Sequence, residues 1–535
     1  MKIAILGGST TAHIAKILGE HHEVYEDDFG KFWETAMYGD FHGFTPDFIY
    51  IHTTNRNIIY EPNVKDSPDE ILRKLDNEYN RYEEMWLKLH DDYDCHVIQN
   101  NFEMPFYRLL GNRDCYDVRG KSRFLAKLNE KFYDFAASHD WFHINDINWL
   151  SANYGLEKWH NLSHWYMYGY ALDVAAIPIL CSNILHIIKS ICGENKKAIA
   201  IDLDNTLWDG LAGEGTVNVA ADNAIGRAFR EFQQYIKDLN VPLYVISKNN
   251  EDAALSALRT SGGILGESDF PIILANWNDK ASNLERLSEE VGIAPTDFVF
   301  IDDNEAERYL VHEQLGVETP LMADITERIR ELDKQAYFEP TIVTNDDLNR
   351  ADMYKANAER QSFEGKFSDY REYLESLHMQ AKIEMLNDDT IERSIQLINK
   401  THQFNLTGYK ISESVLRNEN RFTLTAKLKD KFGDNGLVSV ISAKMENDSA
   451  VIDIWVMSCR VLKRDLEFAL FDSFIDECKS RGIKQVVGLF FENDRNNSNL
   501  DIYQKLGFTK YSVARWMLNV DDYTEKNEVI ECSND

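Results

Sequence analysis

Apolar residues along the chain fall into short runs that stop at polar or glycine-rich residues and alternate with longer amphipathic stretches. Lys2 to Leu6 is a strand-sized run that ends in Gly7-Gly8-Ser9-Thr10, and Phe48 to His52 and Cys95 to Gln99 are two more. Between and after them, Pro68 to His90 and Lys121 to His139 have helical spacing. Strand, turn and helix in alternation predict a parallel α/β domain. The most apolar long stretch, Ala171 to Ile191, is interrupted by Asp173, Pro178, Asn183, His186 and Lys189. It is expected to be a buried helical region, not a membrane span.

The pattern restarts after Gly193-Glu194-Asn195-Lys196-Lys197. Ala198 to Leu203 is a new strand that runs into acidic residues, followed by Pro242 to Ser247, Pro271 to Leu274 and Asp297 to Ile301, with amphipathic helices between. Asp346 to Glu375 is charged, helix-prone and poor in Pro and Gly, which predicts a helical connector. From about Ala381 the texture changes again. Strands Phe422 to Leu428, Gly436 to Ser442 and Ala450 to Met457 precede a helix near Arg464 to Ser480 and a strand, Gln485 to Phe491. The expected fold class is α/β multidomain, with domains at 1–193, 194–335 and 381–535 and a connector at 336–380.

Composition narrows the function classes. A chain of 535 residues is too long for one core. With 89 acidic against 57 basic residues and a formal charge of −32, nonspecific binding to nucleic acid or anionic membranes is not expected. Seven cysteines occur without a CxxC or a pairing pattern, so neither a disulfide framework nor a zinc site is indicated. The apolar run at the N-terminus is too short for a signal peptide, and the expected location is cytoplasmic.

The central segment carries a phosphoryl-transfer constellation. Asp202-Leu203-Asp204-Asn205-Thr206 follows its first strand, Ser247 ends the next, Lys280 lies in Asn276-Trp277-Asn278-Asp279-Lys280, and Asp302-Asp303 end the strand Phe298 to Ile301. In an open α/β sheet such groups converge at the carboxyl ends of the strands. A carboxylate can attack phosphorus to form an aspartyl-phosphate, splitting one difficult step into two. That attack brings anion to anion, which calls for a hard cation, and Mg²⁺ favours carboxylates, carbonyls and water. Asp202 with Asp302 or Asp303, and the backbone carbonyl of Asp204, offer those oxygens. The Asp204 side chain, two residues on, suits proton transfer to the leaving oxygen, while Ser247 and Lys280 suit the phosphoryl oxygens.

On these residues the segment resembles the haloacid dehalogenase (HAD) superfamily. Asp202 to Trp208, Asn276 to Lys280 and Phe300 to Arg308 are similar to its subclass IIIC, or FkbH-like, proteins. The resemblance covers roughly residues 196 to 335 and continues more weakly to about 520. It implies Asp202 as nucleophile, Asp204 as acid/base, Ser247 and Lys280 as phosphate contacts, and Asp202, Asp204, Asp302 and Asp303 around Mg²⁺. It also implies a small phosphorylated metabolite as substrate, and transfer of a glyceryl group from 1,3-bisphosphoglycerate to an acyl carrier protein. Cys459, at a strand end, is the candidate acyl-holding thiol.

The flanking segments resemble two other families. Gly7-Gly8-Ser9-Thr10 together with His164 before Gly169-Tyr170 is similar to the SGNH (GDSL-like) hydrolases, although Gly-Asp-Ser reads Gly-Gly-Ser and Asn161 stands where an Asp is expected three residues before the histidine. This implies a second reading, an esterase or acyltransferase using Ser9 and His164. The C-terminal segment resembles the GNAT acyltransferase fold through Met457-Ser458-Cys459-Arg460 and Tyr503 to Phe508. Where that family has a glycine-rich loop cradling coenzyme A, this chain has Lys463 and Asp465, which is expected to restrict close backbone approach. Arg460, Lys463 and Arg464 remain to meet a phosphate or a phosphopantetheine arm. A third reading is a carrier-binding role for this domain.

Overall fold

The computed structural model describes residues 1–533 apart from 216, 220, 221, 323, 341–355, 357–359, 361, 362, 365, 402, 494 and 495. Two compact units are present, Met1–Lys189 and Ser190–Asp535. The expected α/β multidomain class holds throughout, with one sheet in the first unit and two in the second.

The first unit contains β1 (Lys2–Gly7), β2 (Glu23–Glu26), β3 (Phe48–His52), β4 (His96–Asn100) and β5 (Phe142–Asn145), all parallel in the order 2-1-3-4-5. Every residue of β3 is buried, as a parallel strand covered on both faces requires. Helix Pro68–Tyr93 opens with a reciprocal cap: Ser67 Oγ accepts from the Glu70 amide and the Glu70 carboxylate accepts from the Ser67 amide. Its inner face sets Ile71, Leu75, Tyr82, Met85, Trp86 and Leu89 against the sheet side of the core. Val174–Ile191 is long and apolar enough to cross a membrane by length and composition, and 44% of it is buried within the protein.

Glu103, just past β4, is wholly buried and accepts the Asn55 amide at 3.2 Å. Burial pushes its carboxyl up to about 8. A carboxyl raised in the folded state keeps its full stability below the ordinary carboxylate range and loses it as pH rises through about 8. Glu103→Gln is therefore expected to match wild type in thermal melting at pH 5 and to melt several degrees higher at pH 9. Parallel Tm curves across that range would show that Glu103 is not held protonated.

The second unit begins with β6 (Ala198–Ile201), β7 (Leu243–Ser247), β8 (Ile273–Ala275) and β9 (Phe298–Ile301), parallel in the order 8-7-6-9. Three of these strands are buried at every residue, helices Ala224–Asp238, Glu251–Thr260 and Lys280–Val291 supply the crossovers, and Glu305–Leu315 follows β9. No cap domain interrupts the first crossover among the described residues. Asp209 bridges Asn218, and one short turn, Ala212–Glu214, lies between.

Most of the expected connector, 346–375, lies outside the described residues; helix Tyr370–Ser376 is its described end. The second sheet of this unit is mainly antiparallel. It contains β10 (Gln380–Met385), β11 (Phe404–Asn405), β12 (Arg421–Asp430), β13 (Gly433–Glu446), β14 (Ser449–Met457), β15 (Gln485–Leu489), β16 (Thr509–Lys510), β17 (Arg515–Asn519) and β18 (Glu531–Ser533). Helix Leu466–Ser480 connects β14 to β15, which pair in parallel only over Ser449–Ile452 and Gln485–Gly488. Beyond that point the strands part, and β11 pairs with Val456 and Met457 instead. This is the GNAT-like α+β arrangement that the sequence implied.

The loop after β14 corrects two expectations. Lys463 and Asp465 adopt φ of +65° and +60°, the left-handed conformation that glycine favours, so the turn forms without glycine. Arg464 is not a free surface cation. It is buried with Arg360 around Asp430, at 3.0 Å, because a third charged group buried in that core needs a carboxylate to offset its desolvation. Lys463→Gly relieves the left-handed strain and is expected to stabilise the protein by about 1 kcal/mol in urea unfolding. A destabilised variant would mean that the lysine stem makes contacts worth more than the strain.

Candidate active site

Each side chain at the carboxyl edge of the β8-β7-β6-β9 sheet is placed by a local device. Asp202 continues the ladder of β6, its amide donating to Ile301 O at 2.9 Å. Asn205 then turns the chain at φ +54°, and the Thr206 and Leu207 amides return to Leu203 O. Lys280 is the first residue of its helix, which Asp279 caps by accepting the Ser282 amide at 2.8 Å. Asn276 and Asn283 exchange side-chain amide bonds and fix the loop that leads in. Asn304 caps the helix after Asp302-Asp303, and Arg308 donates to the carbonyls of both acids at 2.6 and 2.9 Å.

These devices bring together Asp202, Ser247, Lys280, Asp302 and Asp303. Carboxylate oxygens of Asp202, Asp302 and Asp303 lie within 4.8 Å of one another. The Lys280 ammonium sits 3.0 Å from Asp202 and 2.5 Å from Asp302, with all three side chains buried. The Ser247 hydroxyl favours the charged form of Asp202. Burial raises the Asp202 carboxyl to about 7 against the pull of Lys280, and burial likewise raises Asp302. Lys280 moves up because, despite its own burial, the two acids hold its proton. Three oxygens from hard carboxylates, one of them on an exposed residue open to water, fit the ligand preferences of Mg²⁺.

The Asp204 side chain lies outside this three-acid cluster. One oxygen accepts from Trp208 Nε1 and the Ala212 amide, and the other from Asn249 Nδ2, each at 2.9 Å. Any share it has in a metal site is therefore through its backbone carbonyl, not its carboxylate. Trp208 and Asn249 carried no expected role. For Asn249 the available signal is its place two residues beyond Ser247, on the same strand-end loop. Thr206 links the two acidic loops: it accepts the Asp303 amide at 3.1 Å and donates to the Asp303 carboxylate at 3.3 Å. Arg328, also without an expected role, ties down the turn through Thr206 O and Asn205 O at 3.0 Å each.

The remaining expected residues are elsewhere. Ser9 and His164 belong to the first unit. Cys459 is partly exposed in a short turn capped by Ser458. It lies close enough to Tyr244, near the start of β7, to raise that phenol after the larger effect of burial.

Neither a protein-family model nor a curated protein matches the chain. A solved structure of the N-terminal part of the protein BF1531 from Bacteroides fragilis, containing a phosphatase domain complexed with Mg, is similar over 64% of this chain and 95% of that one, with 26% identity and a TM-score of 0.59. The central domain thus has the HAD-type phosphatase fold, and the likeness spans more residues than that domain alone contains. Two acetyltransferases are similar over a smaller share of the chain: the ribosomal-protein-S18-alanine N-acetyltransferase from Escherichia coli, with 14% identity over 28% of this chain and 99% of that one at a TM-score of 0.23, and mutant forms of the spermidine/spermine N-acetyltransferase SpeG from Vibrio cholerae, with 12% identity over 27% and 96% at 0.22. With scores that low they add nothing to the strand order described above.

Proposed function

We propose that the central domain is a Mg²⁺-dependent phosphatase or phosphotransferase acting through an aspartyl-phosphate on Asp202. The observation that carries this reading is the convergence of three carboxylates within 4.8 Å beside a buried lysine at one sheet edge. Asp202, Asp302 and Asp303 would hold the ion with the Asp204 carbonyl, and the ion supplies the positive charge that lets a carboxylate approach a phosphoryl group. The Asp202 carboxylate attacks phosphorus and the bond to the leaving oxygen breaks. Asp204 delivers a proton to that oxygen, then takes one from the water or acceptor that cleaves the aspartyl-phosphate. Ser247 and Lys280 present a hydroxyl and an ammonium to the phosphoryl oxygens.

The finer reading is glyceryl transfer from 1,3-bisphosphoglycerate to an acyl carrier protein. That conversion needs two chemistries, thioester formation at the acyl phosphate and removal of the second phosphate. Cys459 is not among the side chains gathered around Asp202, which supports a division of the two between separate places in the unit Ser190–Asp535. Phosphate release is the test, with and without Mg²⁺, from 1,3-bisphosphoglycerate, sugar phosphates and an aryl phosphate, each with and without carrier protein. Metal-dependent release stimulated by the carrier is the expected result; release indifferent to the carrier leaves a simple phosphatase. Mass spectrometry should then find a glyceryl adduct that Cys459→Ala abolishes, and an adduct unchanged in that variant removes Cys459 from the scheme.

A further inference from the structure

We propose that the unit Met1–Lys189 carries a binding site for a hydroxy carboxylate with an apolar group, held between Arg56, Glu103 and His160. Arg56 and Glu103 stand just beyond the carboxyl ends of β3 and β4, which are neighbours in the parallel sheet, and ligands of such sheets bind outside those ends. Two bonds join the loops there. The Asn55 amide donates to Glu103 Oε2 at 3.2 Å, and His160 Nε2 donates to Met104 O at 2.9 Å. Phe106 touches both remaining groups, its ring centre 5.6 Å from the Arg56 guanidinium and 5.7 Å from the His160 ring. Glu103 and His160 each feel the charge of Arg56.

The donors and acceptors left over at this place define the ligand. Arg56 is half-buried between Phe106 and Trp165, 4.4 Å from the latter's ring centre, and among the described residues its guanidinium has no acceptor. Lys121, the other cation that acts on Glu103 and His160, is ion-paired with Glu61. Burial raises the Glu103 carboxyl to about 8, so at neutral pH it keeps its proton and does not neutralise Arg56. Its Oε2 accepts the Asn55 amide, which leaves the proton on Oε1, an atom buried without a partner. A carbonyl only accepts, so the His160 proton is on Nε2 and Nδ1 presents a lone pair, also buried and without a partner. Glu103 is 0% and His160 8% exposed, and native folds rarely orphan such atoms unless something else fills the place.

One ligand satisfies all three groups. A carboxylate matches the guanidinium fork in geometry, and a single uncompensated cation suits a monoanion better than a phosphate dianion. A hydroxyl beside the carboxylate donates to His160 Nδ1 and accepts from Glu103 Oε1, which no purely accepting group does. Phe106, Tyr107 and Tyr166 are exposed, and Tyr166 lies near Arg56, so their faces can seat an apolar group next to the charged end. His160 also lines an open cavity of about 530 Å³ with Tyr154, Glu157, Lys158, Asn161 and Asp173. The two acids there disfavour an anion, which leaves the carboxylate to Arg56.

Titration calorimetry of the full chain with 3-phenyllactate at pH 7 tests this, with EDTA present to keep metal out of the Asp202 centre. Saturable binding with a Kd below about 1 mM is expected. 3-Phenylpropionate, which lacks the hydroxyl, should bind about 10-fold more weakly. Benzylphosphonate should also bind more weakly than 3-phenyllactate. Arg56→Gln should weaken 3-phenyllactate about 10-fold or more, and Arg56→Lys should not restore it, because the fork is lost. His160→Phe should bind the two carboxylates alike. In wild type, 3-phenyllactate should protect Arg56 from phenylglyoxal, read by peptide mass spectrometry, a measurement that does not depend on how the variants fold. No saturable binding and no protection overturn the site, as does binding unchanged in Arg56→Gln. A hydroxyl preference that survives in His160→Phe removes His160 from it, and tighter binding of benzylphosphonate overturns the assignment to a carboxylate.

Discussion

Asp202→Asn is expected to reduce Mg²⁺-dependent phosphate release by about 10⁴-fold or more while leaving the protein folded. The substitution keeps the size of the side chain and removes the charge, and with it the nucleophile and one oxygen of the three-carboxylate cluster. It also removes one of two acids facing Lys280, yet Asp302 remains at 2.5 Å, so the ammonium keeps a partner. Thermal stability should therefore change little, because burial already opposes the charged form of Asp202 and raises its carboxyl to about 7. Steady-state phosphate release and a melting curve check both halves. Activity within tenfold of wild type would place the nucleophile elsewhere, and loss of folding would make the kinetic result uninformative about chemistry, in which case trapping of the aspartyl-phosphate on wild type by mass spectrometry decides it.

The four strand-end motifs of the central domain were legible because each is local. A strand of four or five apolar residues fixes where its acidic or hydroxyl successor points, so Asp202, Ser247 and Asp302 converge without knowledge of the rest of the chain. Residues that act through long-range contacts were not legible. Arg328 reaches the turn at Asn205 from 123 positions away, and nothing in its own surroundings announces that contact. The partners of the Asp204 carboxylate were equally hidden: after the left-handed turn at Asn205, Trp208 and the Ala212 amide return to it, and Asn249 reaches it from the next strand end. In the first unit, Asn161 donates to Asp173 twelve positions later, a contact that only folding brings about. The buried Arg360–Asp430–Arg464 group was equally hidden, since in sequence a basic residue at a helix start looks solvated.

Lys280→Met is expected to be the most damaging single change to stability in the second unit, costing about 3–5 kcal/mol in the absence of divalent cation. Lys280 has 4% of its side chain exposed and stands between Asp202 and Asp302, whose side chains are 8% and 0% exposed. Methionine preserves much of the stem but leaves two buried carboxylates facing each other with no cation. Removing one partner from a buried charge group costs more than the group contributes when intact, because the remaining charges stay desolvated. Mg²⁺ should compensate in part, since an ion bound only by the folded state stabilises it in proportion to the logarithm of its concentration. The Mg²⁺-induced rise in Tm is accordingly expected to be larger in Lys280→Met than in wild type, while phosphate release stays low for want of the ammonium at the phosphoryl oxygens. Lys280→Arg should not rescue activity, because a planar guanidinium does not fit the space of a compact ammonium between two acids. Urea unfolding with and without Mg²⁺ measures this directly. A variant as stable as wild type without metal would mean that Asp202 and Asp302 are not both charged in the folded protein, and that Lys280 stands beside the acids without neutralising them.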